Sequence, residues 1–343
     1  MISIQRSLVE LKGGIIESKP KENVDREDMP ELPEVEYTAR QLRTTIVGAT
    51  ISNALVFWER TIGHPDLTAF LRQVADRRIQ GVRRRGKYLL LDLQGELFLS
   101  IHRRMTGNLY LLPPGWAIDT SLRETDPQAW STKGPSFVPP SVSDLVEDTS
   151  HTNGSANSLY CRACFDLADG RRLLYTDPRK FGRIELWSRD CEPVAFNGLG
   201  PEPLSAQFTS EWLAQTLSER KGAIKQVLLA QEVVAGLGNI YADEALYYAA
   251  LHPMRRANSL TPAEIQLLYQ GIVAVLTLGI EHGGTSFNDY RDLWGEAGDN
   301  YNHVRVYQQD GKPCLRCGQL IERIVIAQRG SHYCPGCQKL TVE

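Results

Sequence analysis

Long apolar runs are missing from this 343-residue chain. No stretch approaches the roughly 18 apolar residues that a membrane helix needs, and Met1-Ile2-Ser3-Ile4-Gln5-Arg6 leads into no apolar signal core. Membrane insertion and secretion are therefore not expected, and a cytoplasmic location is. Cysteine is scarce and odd in number, seven in all, which argues against a secreted disulfide framework. A basic excess is lacking too: 38 Lys and Arg face 41 Asp and Glu, which reads poorly for a nucleic-acid binder. The acid is unevenly placed, however. Residues 1–28 and 113–158 together carry −5, so the rest of the chain is mildly basic at +2. No coiled-coil pattern or apolar patch signals a second subunit, and a monomer is expected.

What is present suffices for two or three domains, with 42% apolar residues to build their cores. Residues 1–28 end in a polar run from Ser18 to Asp28 that has too little apolar content to pack; this extension is either disordered or lies upstream of a true start at Met29. From Pro33, Val35, Ala39, Leu42 and Ile46 recur at helical spacing up to Gly48. Alternating stretches at 88–93, 97–102, 109–112, 159–167, 172–175 and 183–187 read as strands of a sheet-rich domain spanning 29–190. Residues 113–158 mix turn formers with acid and read as a flexible insertion. A linker at 191–205, with Gly198-Leu199-Gly200-Pro201-Glu202-Pro203, leads to helices near 212–217, 224–231 and after Asn239 in a domain spanning 206–295. Thr261-Pro262-Ala263-Glu264 is a capping-box start for a helix reaching about His282, stopped by Gly283-Gly284.

Residues 296–343 close the chain with a cysteine module. Cys314-Leu315-Arg316-Cys317 and Cys334-Pro335-Gly336-Cys337 are two CxxC knuckles at a spacing that lets four thiolates enclose one Zn2+. Four sulfur ligands leave no open position, so the zinc is structural. Between the knuckles a β-hairpin is expected, with Arg329-Gly330 in its turn, where an arginine can grip phosphate. Cys161 and Cys164 also form a CxxC, but within a strand, where positions three apart face opposite sides; they read as strand residues.

Met29-Pro30-Glu31-Leu32-Pro33-Glu34-Val35-Glu36, Arg85-Gly86-Lys87-Tyr88-Leu89-Leu90, Met105-Thr106-Gly107, Tyr175-Thr176-Asp177-Pro178-Arg179-Lys180-Phe181-Gly182, Gly200-Pro201-Glu202-Pro203-Leu204 and Gly236-Leu237-Gly238-Asn239-Ile240-Tyr241-Ala242-Asp243-Glu244 stand in this order ahead of the knuckles. Together they resemble the bacterial formamidopyrimidine-DNA glycosylase (Fpg) and endonuclease VIII family from residue 29 onward, apart from the insertion. The resemblance implies an α+β multidomain fold: an N-terminal β-sandwich with flanking helices, a helix-two-turn-helix domain, and a C-terminal β-hairpin zinc finger with a loop over the flipped base at 285–306. It implies a nucleoid-associated repair enzyme acting on double-stranded DNA that contains oxidised purines or abasic sites. Such an enzyme removes 8-oxoguanine or formamidopyrimidines and then cleaves the strand by β,δ-elimination.

The same resemblance implies the site. Pro30, freed by removal of Met29, would be the amine nucleophile that forms an imine with the sugar, and Glu31 its catalytic acid, with Glu34 nearby. Lys87, Asn239 and Arg329 would hold phosphate, supported by His102 and Lys225. Met105, Arg179 and Phe181 would fill the void left by the extruded nucleotide. Three features depart from the family. A peptide-bonded Pro30 has no amine lone pair, so residues 1–28, if retained, would leave a non-catalytic lesion-binding protein. Arg103-Arg104 replaces the usual Leu-Gly, which would add a phosphate contact or disturb the wedge. The insertion displaces a lysine- and histidine-rich segment. Endonuclease VIII-like action on oxidised pyrimidines is the alternative within the family.

Overall fold

The computed structural model of the protein describes residues 29–115, 117–118, 155–156, 160–287 and 289–340. The extension 1–28 and nearly all of the insertion 113–158 lie outside the described residues.

Helix α1 (Leu32–Thr45) begins with Pro33 in its first turn and ends before Gly48, whose φ of +92° suits a residue without Cβ. Its apolar stripe Val35, Ala39 and Leu42, continued by Ile46, is buried against the sheet. Each of the larger side chains contributes roughly 1.5–3 kcal/mol by leaving water.

The sheet is built from β1 (Thr50–Val56), β2 (Ile62–His64), β3 (Arg77–Arg85), β4 (Tyr88–Leu93), β5 (Leu97–His102) and β6 (Asn108–Leu112), with helix α2 (Leu67–Val74) between β2 and β3. Strands β7 (Ala117–Ile118) and β8 (Ser155–Ala156) pair only with each other. The remaining members are β9 (Cys161–Leu167), β10 (Arg172–Thr176) and β11 (Arg183–Ser188), and the order is β2-β11-β5-β4-β3-β1-β9-β10-β6. Both halves of this ladder turn side chains into one core, Leu91, Leu99 and Ile184 from one half and Leu109, Phe165 and Leu173 from the other. That is the expected sandwich. Strand β3 escapes a periodicity reading because five of its nine residues are arginine, and only Ile79 and Val82 reach the core.

Cys161 and Cys164 correct one expectation. The β9–β10 register shifts so that Tyr175 pairs with Ala163 and Thr176 with Cys161, which passes over Arg162 on the bulged strand; its carbonyl accepts the Phe57 N–H at 2.9 Å. This bulge brings both cysteines into the small cluster with Tyr110, Leu112 and Leu174, on one side rather than two. They remain buried free thiols.

The helical half holds α3 (Ser210–Ser218), α4 (Ile224–Leu228), α5 (Asn239–Tyr248) and α6 (Pro262–Glu281). Thr261 caps α6 by accepting the Glu264 N–H, and Glu264 accepts the Thr261 N–H in return. Gly283 and Gly284, both at positive φ, end the helix. Helix α6 also corrects the statement that no segment has the length and apolarity of a membrane span. It meets both conditions because its polar residues are mostly uncharged, yet Leu268, Ile272 and Leu276 lie in the core of the helical half. The C-terminal hairpin comprises β12 (Glu322–Ile326) and β13 (Arg329–Tyr333). Its two-residue turn is Ala327-Gln328, both at positive φ, so Arg329 opens a strand instead of lying in the turn.

Candidate active site

A cleft of about 280 Å³ lies where the sheet, the helical half and the hairpin meet, and Met29, Glu31, Lys87, His102, Arg104 and Arg329 line it together with Asn239. A larger cavity of about 380 Å³, beside Arg40, Leu204 and Tyr269, gathers none of the expected residues.

Glu31 precedes α1, but its carboxylate serves another helix. Oε1 accepts the Ile240 N–H at 2.9 Å in the first turn of α5, where the helix dipole favours negative charge. Gly238 has to be glycine here, since a Cβ would overlap the Glu31 carboxylate. The second oxygen, Oε2, is buried and has no partner. Burial pushes the Glu31 carboxyl up to about 7; the Lys87 ammonium opposes the rise and Glu34 adds to it. Glu34 is fully tied down: it accepts the Glu31 N–H at 2.8 Å, the Tyr241 hydroxyl at 2.7 Å and the Thr285 N–H at 2.7 Å. Its burial also raises its carboxyl above the usual range. Neutral glutamate near pH 7 is the form that donates a proton. Pro30 is buried beside Glu31, and its nitrogen is an amide because Met29 precedes it.

The cations come from separate elements. Lys87 sits at the turn before β4, and burial holds its ammonium below the ordinary lysine range, against the pull of Glu31 and with the push of Arg329. That turn is anchored by Glu202, which accepts the Gly86 N–H at 2.6 Å and Arg85 Nη1 at 3.0 Å. Gly200-Pro201-Glu202-Pro203, read from the sequence as linker, is thus a fastening for Lys87. His102 Nδ1 accepts the Arg104 N–H at 3.1 Å, which leaves its ring proton on Nε2. Burial first, then Arg104 and Lys87, push this imidazole down to about 3, so it is a neutral donor and carries no charge at pH 7. Arg104 is exposed, at φ +53°, on the rim of the cleft.

Arg103 does something different from either alternative drawn for it. It is 1% exposed and binds the Gly107 carbonyl at 2.7 Å, the Thr38 hydroxyl at 3.0 Å, Asn108 Oδ1 and the Arg291 carbonyl. Its guanidinium lies 5.1 Å from the Tyr290 ring centroid. It therefore supports the Met105 loop from beneath, with its guanidinium buried and occupied by protein acceptors.

Met105 stands on one loop and Arg179 and Phe181 on another, and the two loops are fastened at Asp177. Asp177 accepts the Thr106 hydroxyl at 2.5 Å and the Gly182 N–H at 2.7 Å, and Thr106 accepts the Arg179 N–H at 3.2 Å. Phe181 is 50% exposed with the Arg179 guanidinium 5.0 Å from its ring. An exposed aromatic held on a fixed loop under an arginine suits insertion into a base stack.

Of two further residues expected to hold phosphate, Lys225 lies away from the cleft and Asn239 lines it. Lys225 is wholly buried, ion-paired to Asp243, and donates to the Asn239 carbonyl at 3.4 Å and the Gly330 carbonyl at 3.5 Å. It joins α4, α5 and the hairpin and does not reach the cleft. Asn239 spends its Nδ2 on the Gly330 carbonyl at 3.1 Å and the Tyr307 hydroxyl at 3.4 Å, so Oδ1 is left buried and unpartnered. Asp243 accepts the His332 N–H at 2.9 Å, and Glu244 accepts three backbone N–H groups from residues 305–307 at 2.8 to 2.9 Å. These two acids on an otherwise apolar helix are the signal that sequence reasoning missed: they fix the zinc module, and with it Arg329, to α5.

The four cysteine sulfurs lie within 4.8 Å of one another, with Cys314 and Cys337 3.8 Å apart and Cys317 and Cys334 3.4 Å apart. A zinc–sulfur bond of about 2.3 Å makes the edge of a tetrahedron about 3.8 Å. The Arg316 and Cys337 N–H groups point at Cys314 and Cys334 Sγ, both at 3.4 Å, as acceptor thiolates require. The residues fit one structural Zn2+.

Sequence comparison matches residues 29–184 to the formamidopyrimidine-DNA glycosylase N-terminal domain, 199–291 to the formamidopyrimidine-DNA glycosylase H2TH domain, and 311–340 to the zinc finger found in FPG and IleRS. The formamidopyrimidine-DNA glycosylase of Roseiflexus sp. (strain RS-1) is 40% identical over 312 residues, 91% of this chain and all of that protein. Among solved structures, the Lactococcus lactis Fpg in complex with an abasic site containing DNA aligns at TM-score 0.74 and 31% identity, over 90% of this chain and all of that one. A mutant of the same protein with a Fapy-dG containing DNA aligns at 0.74 and 32%, over 91% and 100%.

Proposed function

From the premise that the chain belongs to the formamidopyrimidine-DNA glycosylase family of DNA repair enzymes, we propose that it excises oxidised purines, 8-oxoguanine and formamidopyrimidines, and then cleaves the DNA strand as an abasic-site lyase. The observation that carries this reading is the buried Glu31, shifted up to about 7, with an unpartnered oxygen in the cleft next to Pro30 and Lys87.

With Met29 removed, the secondary amine of Pro30 is a terminal amine, which titrates near 8 and is partly neutral at pH 7. Its lone pair attacks the sugar C1′, and the bond from C1′ to the base nitrogen breaks, its electron pair leaving with the base, which takes up a proton. Opening of the sugar ring gives the C1′ iminium, and Glu31 supplies the proton to the ring oxygen. Loss of a C2′ proton then expels the 3′ phosphate, and a second elimination expels the 5′ phosphate. Lys87, the Nε2–H of His102 and Arg329 are arranged to hold the backbone phosphates around the extruded nucleotide, while Met105, Arg179 and Phe181 take its place in the stack. Arg104 joins the phosphate-holding set by its position on the cleft rim.

Processing or initiation at Met29 is supported by where likeness begins: the N-terminal family match starts at residue 29, and the Roseiflexus relative is spanned in full by 312 residues. One observation favours a second reading. In the chain that starts at Met1, Pro30 carries a peptide bond, and such a protein binds lesions without cutting. Borohydride trapping on duplexes with 8-oxoguanine opposite cytosine, run in parallel on chains starting at Met1 and Met29, separates the two. A covalent adduct only where mass measurement shows Pro30 to be first supports the lyase. Lesion binding by both without any adduct would falsify it.

A further inference from the structure

His282, Asp299 and His303 lie apart from the cleft residues and from the zinc module. His282 follows the last turn of α6, and Asp299 and His303 flank the short 3-10 turn Asn300–Asn302. The two imidazole rings stack at 3.6 Å between centroids with 27° between planes. Both aim a nitrogen at the same carboxylate oxygen: His282 Nδ1 is 3.9 Å and His303 Nε2 is 3.6 Å from Asp299 Oδ2. All three ligand atoms fall within 4.8 Å of one another, and among the described residues the four cysteines are the only other group that meets this condition.

From these distances we propose a second metal site, a His2Asp centre for a borderline transition ion such as Zn2+, Ni2+ or Co2+. The triangle of ligand atoms has its equidistant point about 2.0 to 2.4 Å from each corner, and zinc binds imidazole nitrogen at about 2.0–2.1 Å and carboxylate oxygen at about 2.0–2.2 Å. Two nitrogen donors select against Mg2+ and Ca2+, which prefer oxygen. Half-exposed rings and an exposed carboxylate give the ion a path from solvent, and coordination by three residues leaves at least one position for water.

The backbone here is already crossed by hydrogen bonds. The Asp299 N–H donates to the His282 carbonyl at 2.8 Å, the Asn300 N–H donates to the Gly284 carbonyl at 3.1 Å, and Gly298 packs directly on Gly283 and Gly284. An ion held by His282 on one side and by Asp299 and His303 on the other clamps the two ends of the segment that leaves α6 at Gly284 and returns at Asp299. Thr285, next along that segment, donates to Glu34 at 2.7 Å, so the clamp stands close to the cleft without taking part in its chemistry.

The test uses the full chain with its cysteine-bound zinc in place, counted by elemental analysis before and after titration with Co2+. The expected result is one additional Co2+ per chain with the weak visible bands of nitrogen and oxygen ligation and no sulfur charge-transfer band. Affinity is expected to fall more than about tenfold in His282→Ala, His303→Ala and Asp299→Asn, since losing even an outer-shell partner costs about that much. Calorimetric titration with Ni2+ repeats the measurement by an independent signal. All three side chains are partly or well exposed, and unchanged zinc content together with an unchanged unfolding midpoint verifies that the variants fold. The proposal is overturned by the absence of saturable binding in the parent chain, by equal binding in the variants, or by cobalt that enters only the thiolate site.

Discussion

Glu31→Gln isolates the electrostatics of the cleft with the smallest change of shape. In the folded chain burial raises the Glu31 carboxyl from 4.5 to about 7, against the pull of Lys87. Between those values the folded protein keeps a proton that the unfolded chain releases, and at about 1.4 kcal/mol per pH unit this amounts to about 3 kcal/mol. Because the folded-state value is the raised one, this stabilising contribution is complete below pH 4.5 and is lost as pH rises through about 7. Glutamine does not titrate. The stability of the parent chain relative to the variant should therefore fall by up to about 3 kcal/mol from pH 4.5 to 7 and change little above. Loss of the partner for Lys87 in the variant takes away part of the gain. Urea unfolding at half-unit pH steps for both chains reads the difference directly. The activity should fall even though the variant gains relative stability near pH 7: base excision drops by about 10²- to 10⁴-fold in the variant, and in the parent chain it declines as pH rises through about 7, where the acid loses its proton. A stability difference that stays flat between pH 4.5 and 7 would refute the reasoning, because it would mean that Glu31 ionises in the folded chain as it does in water.

Three further outcomes are expected. Lys225→Met should destabilise the fold by about 3–5 kcal/mol, since Asp243 is left buried without its cation, while the salt dependence of DNA binding is unchanged; a weaker salt slope at normal stability would return Lys225 to the phosphate contacts. Arg104→Gly suits a backbone at φ +53° and should lower the slope of log K against log salt by about 0.9, the loss of one phosphate contact, as measured by fluorescence anisotropy on lesion duplexes. Removing zinc with a strong chelator should release the β12–β13 hairpin, and with it Arg329, from α5, seen as loss of amide protection at 329–333 and of DNA binding before the sheet domain unfolds.

Much of this was legible from the chain alone because the signals are local. Strands β4 and β5 appear where alternation of apolar residues places them, α6 starts at its capping box, and the paired knuckles announce the zinc. Motif resemblance brought Glu31, Lys87, His102 and Arg329 forward, and these do line one cleft. Other residues were misread because their burial and the partners that the fold brings to them are not written in local sequence. Arg103 and Lys225 are cations, and a cation in a DNA-binding chain reads as a phosphate contact until burial shows that one holds the Met105 loop and the other holds the hairpin. Glu202 looked like linker because its partners are more than 110 residues away, and Arg162 forms a bulge whose effect on Cys161 and Cys164 depends on the register of β10.

The order of residues by itself determined the kinds of elements, the metal ligands and the family to which the chain belongs. These depend on spacing over a few residues and on the intrinsic chemistry of side chains. Tertiary structure decided which acid is neutral near pH 7, which cations face the cleft and which are buried struts. Those properties depend on desolvation and on neighbours such as Ile240 and Lys87, brought to Glu31 from distant parts of the chain.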